Sequence, residues 1–93
     1  MKVTEDKDQV EKEKAEQLIA ETPLMDGVES ISVELRDDST GDPAMWLVFH
    51  LRSDLKVDVP WIQRFNEYSG QIQMRILHSG LTRFPYTRLE PAA

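Results

Sequence analysis

Two neighbouring segments in the middle of the chain carry the clearest pattern of hydrophobic and polar positions. Residues 30–36 alternate strictly, with isoleucine, valine and leucine on one side and polar residues on the other, which predicts a strand with one face in water. Residues 44–52 carry apolar side chains on both sides, which predicts a central strand covered on each face. A turn-forming segment separates the two, so residues 28–53 are predicted to form an antiparallel β-hairpin.

A charged segment, residues 1–22, precedes the hairpin. Glutamate, lysine, glutamine and alanine dominate it, and because these residues favour helix formation we expect a helix over 4–21. Pro23 and Gly27 follow as a connector that ends the helix. The apolar stripe of this helix is thin and consists of Val10, Ala15, Leu18 and Ile19.

The segment after the hairpin is open to two interpretations, because the apolar residues of 71–78 fit both a strand and a helix. A short helix that stops at Gly70 would leave room for the strand. We favour a single helix over 60–79, since it gathers apolar residues at intervals of three and four positions. That stripe, interrupted by one serine, consists of Ile62, Phe65, Ser69, Ile72 and Ile76.

The last segment, residues 81–90, has an extended pattern and is predicted to be an edge strand, because Pro85 lacks the N–H that an inner strand needs. The element order is therefore α-β-β-α-β within one domain, residues 1–93. Helices on one face of a three-stranded, mainly antiparallel sheet would give a two-layer α+β sandwich. The third strand is free to pair with either strand of the hairpin.

Composition and charge exclude several classes of function. The 93 residues include 17 acidic and 11 basic side chains and no cysteine. The net charge of −6 argues against general binding to duplex DNA, and the absence of cysteine excludes disulfides, cysteine-ligated zinc and thiol nucleophiles. No segment approaches the roughly 18 consecutive apolar residues of a membrane helix, and the charged N-terminus lacks a signal-peptide pattern. We therefore expect a cytoplasmic protein that does not bind membranes.

The acidic turn Asp37–Asp42 and His50 are the residues with the most obvious chemistry. Three carboxylates in the turn are suited to a hard cation, but ordinary turn formation also explains every residue there. A small enzyme, or a ligand- or metal-binding domain, that uses His50 with this turn is one hypothesis. No serine or carboxylate lies at a spacing that predicts a catalytic triad, so we assign no catalytic residue, cofactor or metal ligand from the sequence.

The C-terminal region differs from the rest of the chain in charge. Residues 71–93 hold three arginines against one glutamate, a net charge of +2, whereas residues 1–29 hold four lysines against nine acidic residues. Arginines and aromatic residues alternate near the end, a pattern suited to a protein interface or to stacking on single-stranded bases. With the aromatic residues of the hairpin and second helix, the interaction candidates are Trp46, His50, Trp61, Arg83, Phe84, Tyr86 and Arg88.

The stretch from Ile31 to Arg88 contains the turn Asp-Ser-Thr-Gly-Asp-Pro-Ala, an aromatic strand and a terminal Pro-Tyr-Thr-Arg. These features resemble small uncharacterised bacterial proteins that share a Gly-Asp-Pro-Ala hairpin. The resemblance covers about two thirds of the chain, implies the hairpin, and carries over no function.

The leading hypothesis from the sequence is a non-enzymatic protein-interaction module. A chain of 93 residues buries only about 60 to 65% of its unfolded surface, so association would add stability. The partner would be a second copy in a homodimer, or another subunit that this acidic protein neutralises in the manner of an antitoxin. Weak binding of single-stranded nucleic acid through the C-terminal arginines and aromatic residues is the alternative outside protein interaction.

Overall fold

The computed structural model describes residues 3–91, and the side chains of residues 8–91. Its order, α-β-β-α-β, and its α+β class are those that the sequence predicts. The elements are α1 (Val3–Ala20), β1 (Val28–Asp37), β2 (Pro43–Leu51), α2 (Val59–Leu77) and β3 (Phe84–Glu90).

The three strands form one sheet in the order β1-β2-β3. The hairpin pair β1–β2 is antiparallel, as expected, and places Val33 beside Leu47. The third strand joins β2 in the parallel direction, with Leu47 beside Thr87, because α2 carries the chain back across the sheet before β3 begins. The sheet is therefore mixed, β2 is its central strand, and β3, with Pro85, is an edge strand as predicted.

The hairpin turn has the geometry that its sequence favours. The backbone N–H of Asp38 donates to Asp42 O at 2.8 Å, and Gly41 N–H donates to Asp38 O at 3.0 Å. Gly41 has a φ of 88°, a left-handed conformation that costs glycine little. This is a three-residue loop with a glycine bulge, a common connection between antiparallel strands.

Both helices pack on the same face of the sheet. The hydrophobic core joins the odd-numbered residues of β2 to side chains of α1 and α2. At its centre Phe49 is fully buried, and its ring meets that of Phe65 edge-on with centroids 4.9 Å apart. Burial of large apolar side chains such as these two phenylalanines is the main source of stability in a small domain.

The second helix settles the ambiguity over residues 71–78, because Gln71 to Leu77 are helical. Asp58 caps the helix by accepting a hydrogen bond from Trp61 N–H at 3.0 Å, and Pro60 lies in the first turn. The buried stripe begins with Trp61, whereas Ile62 is 41% exposed. The prediction of Ile62 as the first core position is therefore wrong by one residue, because the capped start turns Trp61 inward.

The first helix differs from its predicted stripe at two neighbouring positions. Val10 is 59% exposed, whereas Glu11 is 6% exposed. The Glu11 carboxylate accepts hydrogen bonds from Thr82 Oγ1 at 2.5 Å and from Thr82 N–H at 3.3 Å. Because these bonds replace water, the carboxylate can lie in the contact between α1 and the turn before β3. Hydrophobicity alone does not indicate this position.

Candidate interaction surface

The face of the sheet opposite the helices carries most of the predicted site residues. We call it the helix-free face; it consists of the even-numbered residues of 30–36 in β1, 44–50 in β2 and 84–90 in β3, which lie side by side in the register of the strands. Within residues 3–91 the core that holds the helices includes none of these side chains. The helix-free face is therefore covered only by its own side chains.

An aromatic cluster occupies the end of the helix-free face next to the hairpin turn. The rings of Trp46 and Tyr86 stack with centroids 4.9 Å apart, and Phe84 meets Tyr86 at 4.8 Å and an angle of 61°. The guanidinium of Arg36 lies 5.7 Å from the centre of the Trp46 ring, within the range of a cation–π interaction. Phe84 is 49% exposed, which makes it the outermost apolar side chain of the cluster.

Asp38 connects the turn to this aromatic cluster. Its Oδ1 accepts hydrogen bonds from Thr40 N–H at 2.9 Å, Thr40 Oγ1 at 2.7 Å and Asp42 N–H at 3.0 Å. Its Oδ2 accepts from the Tyr86 hydroxyl at 3.1 Å. The bond from the Thr40 side chain, followed by the other donors, lowers the pKa of Asp38. This carboxylate organises the turn and fixes Tyr86.

The centre of the helix-free face is apolar beneath a layer of charged groups. Val48 is only 1% exposed, and Arg88 lies on the neighbouring strand beside it. Glu34 accepts contacts from two arginines, Arg36 at 3.4 Å and Arg88 at 3.8 Å. The arginines are therefore partly neutralised by a carboxylate of the same face.

Two hydrogen-bond donors in this region are buried without an acceptor among the described residues. They are the indole Nε1 of Trp46 and the Nε of Arg88. A buried donor that loses its partner costs about 1–3 kcal/mol, so the arrangement of side chains on this face is not optimal for an isolated subunit. Both atoms are shielded from solvent by neighbouring side chains, so an acceptor on another molecule could reach them only after those side chains move.

His50 lies at the opposite end of the helix-free face from the acidic turn. Its Nε2 is 2.8 Å from Ser32 Oγ, and it pairs with Ser30, whereas Asp37 pairs with Pro43. Seven strand positions separate His50 from the turn, which corresponds to about 23 Å. The structure therefore does not bring His50 and the acidic turn together, and no group of three or more metal-binding side chains occurs in the part of the chain it describes.

Two of the seven interaction candidates lie away from the helix-free face. Trp61 is 2% exposed in the core beneath α2, where it stacks on Phe65 at 5.2 Å and donates from Nε1 to Asp26 O at 2.9 Å. It forms no patch with Trp46, because the two tryptophans lie on opposite sides of the sheet. Arg83 donates from Nη1 to Ala44 O at 2.9 Å and is structural.

The other five candidates share the helix-free face, and they are Trp46, His50, Phe84, Tyr86 and Arg88. Sequence reasoning missed Glu34 and Arg36, which contact these residues from β1. The hairpin pattern contains the signal, since residues 34 and 36 alternate away from the core side of their strand. Only the register with β2, however, places Glu34 beside Trp46.

A shallow open groove lies on the outer side of α2. It contains neither a histidine nor an evident nucleophile, and its lining residues are Asn66, Glu67, Gly70, Gln71, Met74 and Arg75. This groove therefore offers no reaction chemistry comparable with the convergence of side chains on the helix-free face.

Comparison with protein-family models, with curated proteins and with solved structures finds no match for this chain. Within residues 3–91, no helix is long and apolar enough to cross a membrane. The geometry of the helix-free face is therefore the basis for assigning a function to this chain.

Proposed function

We propose that this protein is a non-enzymatic interaction module that forms a homodimer through the helix-free face. The proposal depends on one contrast: the helix-free face contains large aromatic side chains, but no helix of the described residues covers it. The face contains the stacked rings of Trp46 and Tyr86, the exposed ring of Phe84 and the buried side chain of Val48. Large aromatic side chains that remain on a surface usually mark a contact site.

A second copy fits this face because the face is self-complementary. A two-fold axis parallel to the sheet and above the helix-free face, perpendicular to the strands and level with Leu47, would place each strand over its own equivalent in the second copy. Tyr86 then lies across from Arg88 of the second copy, which permits cation–π contact, and Trp46 lies across from Val48. Contacts of this kind, repeated by the two-fold axis, are characteristic of a C2 interface.

The charges of the face are compatible with the same axis. Glu34 faces Ser32 of the second copy and Arg36 faces Ser30, so neither meets a like charge. Glu90 faces the exposed ring of Phe84. Because like charges that meet across an interface cost several kcal/mol, their absence supports self-association, and serine oxygens can accept from nearby donors.

The dimensions of the helix-free face predict a weak dimer. Three strands give a width of about 14 Å, and seven residues of each strand give a length of about 23 Å. The flat area of the face is therefore about 320 Å², which is less than half of the about 800 Å² that a stable interface buries on each partner. We therefore expect dissociation on dilution within the micromolar range.

The other hypotheses receive less support from the same residues. The Tyr86 hydroxyl donates to the Asp38 carboxylate, and a fixed negative charge beside the aromatic cluster disfavours an approaching phosphate backbone. The two arginines of the face are balanced by Glu34 and Glu90, which weakens the case for binding phosphates. An enzyme that uses His50 lacks a carboxylate of the turn within hydrogen-bond reach.

The proposal is tested by sedimentation velocity over a dilution series of four proteins. Phe84→Glu would place a carboxylate across from Glu90 of the second copy, so we expect the mean mass to halve at a concentration where the wild type associates. Phe84→Lys would place an ammonium group there, so association should persist. Met74→Glu is the matched control, because Met74 is 50% exposed on α2 and Phe84 is 49% exposed.

Equal masses for the Phe84→Glu variant and the wild type would contradict the proposal, as would equal losses in the Phe84→Glu and Phe84→Lys variants. Thermal unfolding of each variant establishes that the subunit itself remains folded.

A further inference from the structure

The free edge of β1 has main-chain groups that the described residues do not use. The hydrogen bond from Asp38 N–H to Asp42 O, together with the strand register, shows that the even-numbered residues of β1 bond to β2. In an antiparallel pair the bonding residues alternate, so the N–H and C=O groups of Ile31, Val33 and Leu35 point away from the sheet. Among the backbone groups of residues 3–91 and the side chains of residues 8–91, no hydrogen bond outside the β1–β2 ladder reaches them.

The other edge of the sheet is protected, and the comparison makes the open edge more significant. In β3, Pro85 has no N–H to offer, and its carbonyl accepts a hydrogen bond from Gln73 Nε2 at 2.8 Å. By contrast, β1 has a register irregularity only between Val28 and Ser30 and contains neither proline nor lysine. Proline, lysine and bulges are the usual devices that prevent strand addition.

We propose that the edge of β1 pairs with β1 of a second copy, in the antiparallel direction, about a two-fold axis at Val33. The result is a continuous six-stranded sheet. On the core side, Ile31 lies across from Leu35 of the second copy, and the same contact is repeated by symmetry. Both side chains are only partly buried in the subunit, so the pairing extends the core over them.

The side chains on the helix-free side of β1 are compatible with this register. Ser32 lies across from Glu34 of the second copy, and Ser30 lies across from Arg36, so no like charges meet over residues 30–36. One step further, Glu29 would meet Asp37. Because directly opposed like charges destabilise strand pairing, the pairing should end at this point, where the register of β1 is already irregular.

The edge contact and the face contact can occur in one closed assembly. The edge axis is normal to the sheet and passes midway between the two Val33 residues, at the level of Leu47. The proposed face axis runs parallel to the sheet, above the helix-free face and at the level of Leu47. The two axes therefore meet at right angles and generate four copies with 222 symmetry. The edge pairing itself does not depend on the proposed face dimer.

Amide hydrogen exchange measured by NMR at several protein concentrations tests the edge pairing. The N–H groups of Ser32 and Glu34 bond within the subunit and should be protected at every concentration. The N–H groups of Ile31, Val33 and Leu35 should exchange at least about tenfold more slowly in the concentrated sample than in the dilute one, since strand pairing would cover them. Exchange of these three amides that does not change with concentration would overturn the proposal.

Substitutions distinguish association through the β1 edge from association through the helix-free face. Leu35→Lys adds a charge of the kind that blocks edges, and Leu81→Lys is its control, because Leu81 is also a partly buried residue at the core. Leu35→Lys should halve the mean mass and leave the face contact intact, whereas Leu35→Lys combined with Phe84→Glu should be monomeric. If Leu35→Lys has the mass of the wild type, the edge proposal fails, and the effect of Phe84→Glu alone still decides the face proposal.

Discussion

The two faces of β2 bury their residues by different means. On the core side, Met45, Leu47 and Phe49 are all 0% exposed beneath apolar side chains of the helices. On the helix-free side, Val48 is buried almost as completely, at 1%, but its neighbours are Ser32 and Arg88 on the flanking strands. Equal exposure therefore does not mean an equal environment.

This difference is the reason for proposing an association surface on the helix-free side and not on the core side. Apolar packing on the core side leaves no group that requires another molecule. On the helix-free side, long amphipathic side chains lie along the sheet, and the buried donors of Trp46 and Arg88 lack acceptors in the described structure. The core side is covered by the helices, whereas the helix-free side has aromatic and charged side chains over which no helix of the described residues packs.

The largest expected effect comes from truncation of a central side chain on each face. Phe49→Ala should lower the free energy of unfolding by about 3–5 kcal/mol, as is typical for a buried phenylalanine. Val48→Ala should cost about 1.5 kcal/mol, from two methylene equivalents at about 0.8 kcal/mol each. Urea denaturation at a dilution where the wild type is monomeric measures both values.

Measurements of the same two variants in concentrated samples distinguish the two faces of β2 further. Val48→Ala should then also weaken association, because the truncation removes support from beneath Arg88, which lies across from Tyr86 of the second copy in the proposed dimer. Phe49→Ala should not weaken it beyond its effect on folding. If both variants change association equally, the two faces do not differ as described here.

The sequence predicts most of the fold because the decisive signals are local. Alternation in 30–36, the turn residues and the helical spacing after Pro60 each concern positions close in the chain. The parallel pairing of β3 with β2 could not be predicted, since the extended pattern of 81–90 is equally compatible with either neighbour. The burial of Glu11 depends on Thr82, 71 positions away, and therefore leaves no local signal.

The sequence predicts only part of the candidate interaction surface, again because it shows local patterns and not long-range contacts. The aromatic and arginine content of the tail identified Phe84, Tyr86 and Arg88, because exposed residues of these types are typical of interfaces. Trp61 has the same residue type as Trp46 but belongs to the core. Composition does not distinguish them; the capped start of α2 and the orientation of the sheet do.

An effect of intermediate size on stability is expected from Asp38→Asn, because Asp38 connects the hairpin turn to the helix-free face. Its pKa is lower in the folded state than its ordinary value of 3.8, first because of the Thr40 side chain. The resulting stabilisation is complete above that ordinary value and is lost as the pH falls through the lower folded pKa. Between about pH 5 and about pH 2 the wild type should therefore lose more stability than the Asp38→Asn variant does.

The hydrogen bond from Tyr86 to Asp38 also affects titration at alkaline pH. The hydrogen bond to Asp38 raises the pKa of Tyr86, so its stabilisation is present below the ordinary tyrosine pKa and is lost as the pH rises through the higher folded pKa. Asp38→Asn should shift the phenolate absorbance of Tyr86 to lower pH. Tyr68, whose pKa burial raises, is the internal reference and should not move. A shift in both tyrosines would indicate a general loss of structure.

The smallest expected effect concerns the outer side of α2, which lies on the helical side of the molecule. A Cβ added at Gly70 would meet nothing within 4 Å, so Gly70→Ala should stabilise the protein by about 0.5–1 kcal/mol through reduced freedom of the unfolded chain. Gly27→Ala is the opposite control, because its φ is +95° and its Cβ would lie 2.7 Å from Leu55 Cδ1. Thermal unfolding measures both. A gain at Gly70 with unchanged association would leave the helix-free face and the β1 edge as the association surfaces, whereas weaker association in Gly70→Ala would mean that a second copy also approaches α2.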